Sequence, residues 1–214
     1  MERIGEEKIE TLHETRYLTL YDLQYAPGKH YFEASRRKKD SLVASMEAKE
    51  AREMLPDAVT VAVVLRLPDG DTRLVMFYEY RYPVGRFLLS PVAGLVDEKD
   101  REGGDPLVRT AVREIREEIG LTVKDTDQVT VLNECTFCTP GITDESNAFL
   151  LAEISVPDLS GLNHRGTEGA ELLTGFELLT RERAEEIYRR GRDDYGNFYS
   201  LATWTVLRIF LDRF

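Results

Sequence analysis

The sequence predicts an α/β domain, an α+β sandwich in which a mixed β-sheet lies between helices. Three observations lead to this fold class. Residues 58–82 contain two apolar, strand-like runs joined by a Pro-Asp-Gly-Asp turn, which is typical of a hairpin. Residues 106–119 show the three- to four-residue apolar spacing of an amphipathic helix. Strand-like and helix-like segments then follow to the end of the chain.

Composition and charge limit the number of domains and the kinds of partner. The 214 residues, of which 42% are hydrophobic, suffice for one large domain or for one domain with an appendage. The most apolar run, residues 58–65, is too short to cross a bilayer, and the first ten residues lack the apolar stretch of a signal peptide. We therefore expect a cytoplasmic protein without a membrane partner. A net charge of −11 argues against nucleic acid as a partner but allows a small anionic substrate if a metal ion offsets the repulsion.

The first 56 residues are interpreted as an N-terminal extension of strands and one helix, followed by a larger domain at 57–214. Residues 14–26 and 30–38 alternate like strands on either side of a Pro-Gly turn. Residues 40–55 are rich in Ala, Glu, Met and Leu and predict a helix that the next proline ends.

The elements of the larger domain follow from the same patterns. An extended segment at 87–96 precedes a charged, glycine-containing loop. The helix at 106–119 has Pro106 in its first turn and Gly120 in position for the C-terminal cap. Further strands are predicted at 127–137, 146–156 and 172–179, and further helices at 180–191 and 200–214.

Cys135 and Cys138 have the C-x-x-C spacing of a redox motif or of half a zinc site. A thioredoxin-like motif would open a helix, whereas Thr-Pro-Gly follows here, and the chain has no second cysteine pair. We interpret the pair as two reduced thiols in or beside a strand.

The helix at 106–119 ends in a cluster of carboxylates. Glu114, Glu117 and Glu118 are three and four residues apart, so their side chains share a helix face beside the apolar stripe. Carboxylates at the edge of a core cost free energy unless they are paired or bound to a metal, and oxygen ligands suit Mg²⁺ or Mn²⁺. The alternative is a solvated acidic face in which Arg113 and Glu117 form an ordinary ion pair.

The stretch from Gly94 to Leu121, "GLVDEKDREGGDPLVRTAVREIREEIGL", resembles the Nudix box: Gly, five residues, Glu, seven residues, Arg-Glu, an aliphatic, any residue, Glu-Glu, any residue, Gly, aliphatic. The second half fits in register from Arg113 onward. Counting back seven residues from Arg113 places Asp105 at the family's first glutamate, with a five-residue insertion between Gly94 and Asp105.

Flanking segments resemble the ADP-ribose pyrophosphatase branch of the Nudix family. "YRYPVGR" and "SPVAG" are similar to the segments that precede the box in that branch. "TPGITDE" resembles its "SPGFSDE" loop, and "EGAELLTGFELLT" occupies the place of its late acidic loop and strand. The resemblance covers roughly residues 58 to 190, and "YFEASRRK" matches the branch's N-terminal strand more loosely.

The resemblance implies roles for individual residues of the box. Glu114 and Glu118 would be the principal metal ligands, Glu117 a ligand or a holder of water, and the carbonyl of Ala93 a further ligand. Arg113 would position the carboxylates. The metal would be Mg²⁺, with Mn²⁺ as an alternative.

Outside the box, the resemblance implies three further roles. Glu168, or else Glu171, would be the general base in the acidic loop. Arg81 would bind phosphate, and Glu145 would hold a ribose or a water.

The resemblance also implies a substrate and a homodimer. We expect hydrolysis of a nucleoside diphosphate sugar, first of all ADP-ribose to AMP and ribose 5-phosphate. The alternatives are a UDP- or GDP-sugar diphosphatase, a nucleoside triphosphatase and a non-catalytic nucleotide sensor. In that branch the N-terminal strands exchange across a dimer, so Tyr31 or Phe32 would stack on a base and Arg36 or Arg37 would reach a phosphate.

Overall fold

The computed structural model describes residues 3–167 and 171–214 of the chain. The chain divides into two compact units, one comprising Met1–Asp57 with Glu134–Asn147 and the other Ala58–Asn133 with Ala148–Phe214. The first unit thus contains a later segment besides the N-terminal extension, whereas the sequence suggested a single boundary after residue 56. No helix in the described ranges is both long and apolar enough to cross a bilayer.

The first unit is built on a three-stranded antiparallel sheet of β1 (Ile9–Glu14), β2 (Thr19–Ala26) and β3 (Lys29–Ser35). Side chains on β2 alternate between a buried face, with Tyr21 and Leu23, and an exposed face.

The prediction of a helix over residues 40–55 is largely wrong. The segment forms two single 3₁₀ turns and then only α1 (Ala48–Glu53). Tertiary contacts override its helix propensity, because Leu42 is fully buried with Tyr21 and Leu23, and the Asp144 carboxylate accepts the Val43 N–H at 3.2 Å.

A seven-stranded sheet, most of which belongs to the second unit, has the path β10-β5-β4-β9-β8, where β6 also pairs with β5 and β7 with β4. The strands are β4 (Ala58–Arg66), β5 (Thr72–Arg81), β6 (Arg86–Ser90), β7 (Val92–Leu95), β8 (Gln128–Phe137), β9 (Ser146–Ser155) and β10 (Leu173–Leu179). The helices are α2 (Pro106–Ile119), α3 (Arg181–Arg190) and α4 (Leu201–Arg213).

Strand β4 explains why helices cover both faces of this sheet. Its apolar run is buried on both sides, as expected for a central strand. Val61 and Val63 belong to the apolar cluster that includes Ile115 of α2, while Ala62 and Val64 belong to the cluster that includes α3 and α4. This arrangement confirms the α/β fold class.

Candidate active site

Helix α2 carries the acidic residues, and both of its ends are capped. Asp105 is the N-cap, and its carboxylate accepts the Leu107 N–H at 2.9 Å. Gly120 ends the helix in the left-handed conformation, as expected. Between the caps, Ile115 and Ile119 are fully buried, which turns Glu114 and Glu118 toward the sheet.

The partner of Arg113 in the preceding loop is Asp100, not Asp105. The Arg113 Nη2 lies 2.9 Å from Asp100 Oδ2 and donates to the Leu95 carbonyl at 2.8 Å. Asp105 caps the helix instead, so the assignment made by counting back from Arg113 is wrong. Five residues separate Gly94 from Asp100, which is the spacing between the glycine and the first glutamate of the Nudix box. The five inserted residues therefore lie between Asp100 and Arg113.

Arg113 also joins the carboxylates of the helix. Its Nη1 lies 2.5 Å from Glu114 Oε1 and 2.9 Å from Glu117 Oε2. Burial alone would lower the pKa of Arg113, but Asp100, Glu114 and Glu117 raise it above its ordinary value. Arg113 therefore stays a cation and pairs with the acidic face, and its positioning role stays a prediction.

Glu114 occupies space that only a glycine leaves free. A Cβ on Gly94 would lie 1.8 Å from Glu114 Oε1, so any other residue would displace the carboxylate. Glu114 is 7% exposed. Burial raises the pKa of Glu114 to about 7, although the charge of Arg113 acts in the opposite direction.

Glu118 is the most deeply buried acid of the helix, at 3% exposure. Its Oε2 accepts the Ala93 N–H at 3.0 Å, so the strand β7 and the helix meet at this carboxylate. Burial raises the pKa of Glu118 well above its ordinary value, and this hydrogen bond only partly opposes it. The use of the Ala93 carbonyl as a ligand stays a prediction.

These carboxylates fit a divalent cation by their chemistry. Glu114 and Glu118 are hard oxygen donors that burial has stripped of water, and a nearby 2+ charge would reverse the rise in their pKa values. Arg113 engages Glu114 and Glu117, and no three His, Cys, Asp or Glu side chains in the described ranges are already grouped for an ion. Binding would therefore bring together oxygens that Arg113 and Ala93 now hold.

A second charged group lies at the end of β5. Arg81 forms an ion pair with Glu79 at 2.7 Å, and these residues share a strand face because they are two apart. Burial raises the pKa of Glu171, Arg81 opposes the rise, and the charge of Glu117 adds to it. Because Glu171 in turn raises the pKa values of Glu114 and Glu118, it belongs to the same electrostatic site.

One predicted acidic residue near this site cannot be compared with the structure, and one acidic residue of the site was not predicted. Glu168, the preferred general base, lies outside the described residues and stays a prediction. Glu79 was missed, although the period-two spacing of Glu79 and Arg81 along an otherwise apolar strand marks both as facing one side. Burial raises the pKa of Glu79, and Arg81 opposes that rise.

A cavity of about 610 Å³ borders the helix on its outer side, and Arg113 and Glu117 line it. Three further cations, Lys99, Arg109 and Arg116, face this cavity. With Asp100, the lining carries four positive and two negative charges, in a chain whose net charge is −11. This region can attract an anion.

The other expected substrate contacts lie together in the first unit. Arg36 Nε pairs with Glu145 Oε1 at 3.1 Å, and the Tyr31 hydroxyl donates to the Gly141 carbonyl at 2.7 Å. The structure thus pairs Arg36 with Glu145, while Tyr31 contacts a different residue, Gly141, of the segment that contains Glu145. Their roles toward a substrate stay predictions.

Glu33 and Asp144 were missed, and both line a largely apolar cavity of about 210 Å³ in the first unit, as does Tyr31. Glu33 is 6% exposed, and its Oε2 has no hydrogen-bond partner among the described residues. Burial, with the neighbouring Asp144 charge, raises the pKa of Glu33 to about 7. A buried position on β3 was the only available signal, because Glu33 is a single acid in an alternating strand.

Neither cysteine of the described ranges is part of a disulfide, as expected. Cys135 lies within β8 and Cys138 directly after it, at half-buried and exposed positions. Burial raises the pKa values of both, which disfavours the reactive thiolate form.

Comparisons with known proteins return Nudix hydrolases. An uncharacterized Nudix hydrolase of Schizosaccharomyces pombe is 25% identical over 151 residues, which make up 70% of this chain and 69% of that protein. Nudix hydrolase 14, chloroplastic, of Arabidopsis thaliana is 38% identical over 44% of this chain and 31% of its own length. An ADP-ribose pyrophosphatase of Mycobacterium tuberculosis is 36% identical over 47% of this chain and 44% of its own length. The chain thus spans less than half the length of the last two relatives.

A solved structure extends the likeness to nearly the whole chain. The crystal structure of an ADP compounds hydrolase aligns with a TM-score of 0.57 at 18% identity, covering 95% of this chain and 91% of that chain. The likeness confirms the expected fold. No family model matches the chain.

Proposed function

We propose that the chain is a Nudix hydrolase and that it hydrolyses the pyrophosphate bond of a nucleoside diphosphate sugar in a reaction that requires a divalent metal. The first candidate substrate is ADP-ribose, which would give AMP and ribose 5-phosphate. The observation that carries the proposal is the pair of buried carboxylates, Glu114 and Glu118, which Arg113 and the strand β7 hold in place.

We assign metal binding and the positioning of the metal ligands to different residues of the site. A bound Mg²⁺ or Mn²⁺ would neutralise phosphate oxygens and acidify the attacking water. Glu114 and Glu118 would hold the ion, with Glu117 as a third ligand or a holder of water. Asp100 and Arg113 keep those carboxylates aligned, since they form one connected set of ion pairs.

The reaction also needs a proton acceptor. The oxygen of water forms a bond to one phosphorus atom, the bridging P–O bond breaks, and the proton of the water passes to a base. Glu171 supports this role because burial raises its pKa and it interacts electrostatically with Glu114 and Glu118. Glu168, the base preferred from the sequence, lies outside the described residues and stays a prediction.

Charge at the site supports an anionic substrate. Arg81 at the end of β5 would bind a phosphate oxygen, and its present partner Glu79 would be replaced by that anion. Lys99, Arg109 and Arg116 provide additional positive potential along the outer cavity.

The first unit supports base recognition and a homodimer. Tyr31 lines a cavity of about 210 Å³, below the usual size of a drug-sized ligand pocket and so suited to a single ring system rather than to a whole nucleotide. Leu20 of β2 and Phe32 of β3 are exposed although both lie within strands, at 40% and 58%. A second copy of the chain would cover such a face.

Product analysis tests the proposed function. Purified protein with Mg²⁺ is incubated with ADP-ribose, UDP-glucose, GDP-mannose and a deoxynucleoside triphosphate. Release of AMP fastest from ADP-ribose would support the proposal. Faster cleavage of another nucleotide sugar would change the base, and nucleotide binding without any turnover would support the non-catalytic sensor.

A further inference from the structure

The segment that leads into the acidic loop is fastened to the C-terminal turn of α2. His164 Nδ1 lies 2.6 Å from the carbonyl oxygen of Glu118, and the Asn163 N–H donates to the Ile119 carbonyl at 3.0 Å. These carbonyls belong to the last turn of the helix, where no backbone N–H within the helix can satisfy them. The segment therefore supplies the missing donors from outside.

The ring of His164 contacts two aromatic rings and two carbonyl oxygens. The ring stacks on Phe176 of β10, with centroids 4.1 Å apart, and meets Phe77 of β5 edge to face at 5.5 Å. Its Nε2 lies 3.2 Å from the Gly175 carbonyl oxygen. Both partners are carbonyl oxygens, which only accept, so a ring nitrogen that bonds to either must carry a hydrogen; Nδ1 makes the shorter contact, to Glu118. The helix and two strands thus meet at this side chain.

A close backbone contact completes the attachment. A Cβ on Gly166 would lie 2.7 Å from the Glu117 carbonyl oxygen and 2.8 Å from its Cα. Both atoms are backbone atoms of α2 and cannot move without moving the helix. Thr167 closes the turn by donating its hydroxyl to the His164 carbonyl at 2.9 Å.

We propose that His164 is a positioning residue that fixes residues 163–167 on α2 and thereby directs the carboxylate of Glu171, further along the chain, toward the substrate while Glu118 holds the metal. Glu118 has two separate functions in this arrangement: its side chain would face the ion, and its carbonyl anchors this segment. The proposal rests on the proposed function, and it adds a residue outside the Nudix box to the machinery. His164 itself touches neither substrate nor metal.

Two substitutions separate the hydrogen bond from the packing. His164→Phe keeps a ring between Phe176 and Phe77 but has no donor for the Glu118 carbonyl. His164→Asn keeps an N–H at the position of Nδ1 but has no ring. We expect His164→Phe to retain the wild-type melting temperature and to lose about 10- to 100-fold in kcat with little change in KM, because misplacing a reacting group by about 1 Å can cost 100-fold. We expect His164→Asn to melt at a lower temperature and to retain more kcat than His164→Phe.

Gly166→Ala tests the attachment independently, and Gly161→Ala in the same segment is its matched control. A Cβ at Gly161 would meet only Leu121 Cδ2 at 3.5 Å, an ordinary contact. Gly166→Ala should lower kcat and speed amide exchange of Asn163, whose N–H would lose its acceptor, whereas Gly161→Ala should change neither. Wild-type kcat in both His164→Phe and Gly166→Ala would overturn the proposal. If the wild-type protein cleaved no substrate, the proposed function would fail instead, and amide exchange of Asn163 would still test the attachment.

Discussion

The register of the loop before α2 gives a sharp test, because two aspartates five residues apart have different partners. Asp100 is 4% exposed and pairs with Arg113 at 2.9 Å, while Asp105 is exposed and caps the helix. The perturbation is the same for each: Asp100→Asn and Asp105→Asn remove one negative charge and keep the shape of the side chain.

We expect the two substitutions to lower the free energy of unfolding by different amounts. Asp100 also accepts the Thr110 hydroxyl at 3.1 Å, and a hydrogen bond to a charged group contributes about 1.5–3 kcal/mol. Asp100→Asn should lower the free energy of unfolding by that order. Asn caps a helix about as well as Asp, so Asp105→Asn should cost less than about 0.5 kcal/mol. Because Arg113 aligns Glu114, Asp100→Asn should also lower kcat by about 10- to 100-fold.

Urea unfolding and steady-state kinetics measure both effects. A double-mutant cycle between Asp100→Asn and Arg113→Gln should return a coupling energy of about 1 kcal/mol or more. Equal losses in the two aspartate variants, or a larger loss in Asp105→Asn, would refute the assignment of Asp100 as the partner of Arg113.

Two further predictions follow from the buried acids. Gly94→Ala should weaken Mn²⁺ binding about tenfold or more, because a Cβ would displace the Glu114 carboxylate; an unchanged Mn²⁺ affinity in a titration would contradict this. Glu33 has a folded-state pKa of about 7 against an ordinary value of 4.5, so the folded state binds more protons and wild-type stability falls as the pH rises through this window. Glu33→Gln should remove this fall and be more stable at pH 8 by on the order of 3 kcal/mol, as measured by urea unfolding; parallel pH profiles for the two proteins would argue against a raised pKa.

The sequence predicted best where one signal decides the local structure. The amphipathic spacing around Ile115, with Pro106 and Gly120 at its ends, predicted α2 within its observed bounds. The apolar run of β4 predicted a buried strand, and the structure buries it on both faces. The spacing of Glu114, Glu117 and Glu118 predicted the acidic face.

Prediction failed where contacts distant in sequence decide. Residues 40–55 have helical composition, yet the burial of Leu42 and the hydrogen bond to Asp144 hold most of the segment out of a helix. The partner of Arg113 was missed for a different reason, because the spacing was counted from one end only; counting forward from Gly94 identifies Asp100.

His164 could not be predicted, since its partners come from α2, β5 and β10, which only the fold brings together.

The most direct test of the metal site on α2 is metal-dependent release of AMP from ADP-ribose by the wild-type protein and by Glu118→Gln. We predict turnover with Mg²⁺ in the wild type, none after chelation of the metal, and loss of most turnover in Glu118→Gln with an intact fold. The last expectation follows because the amide removes one ligand charge while the Ala93 N–H keeps an oxygen acceptor. Near-normal turnover in Glu118→Gln, or full wild-type turnover without a divalent ion, would contradict the assignment of α2 as the catalytic metal site.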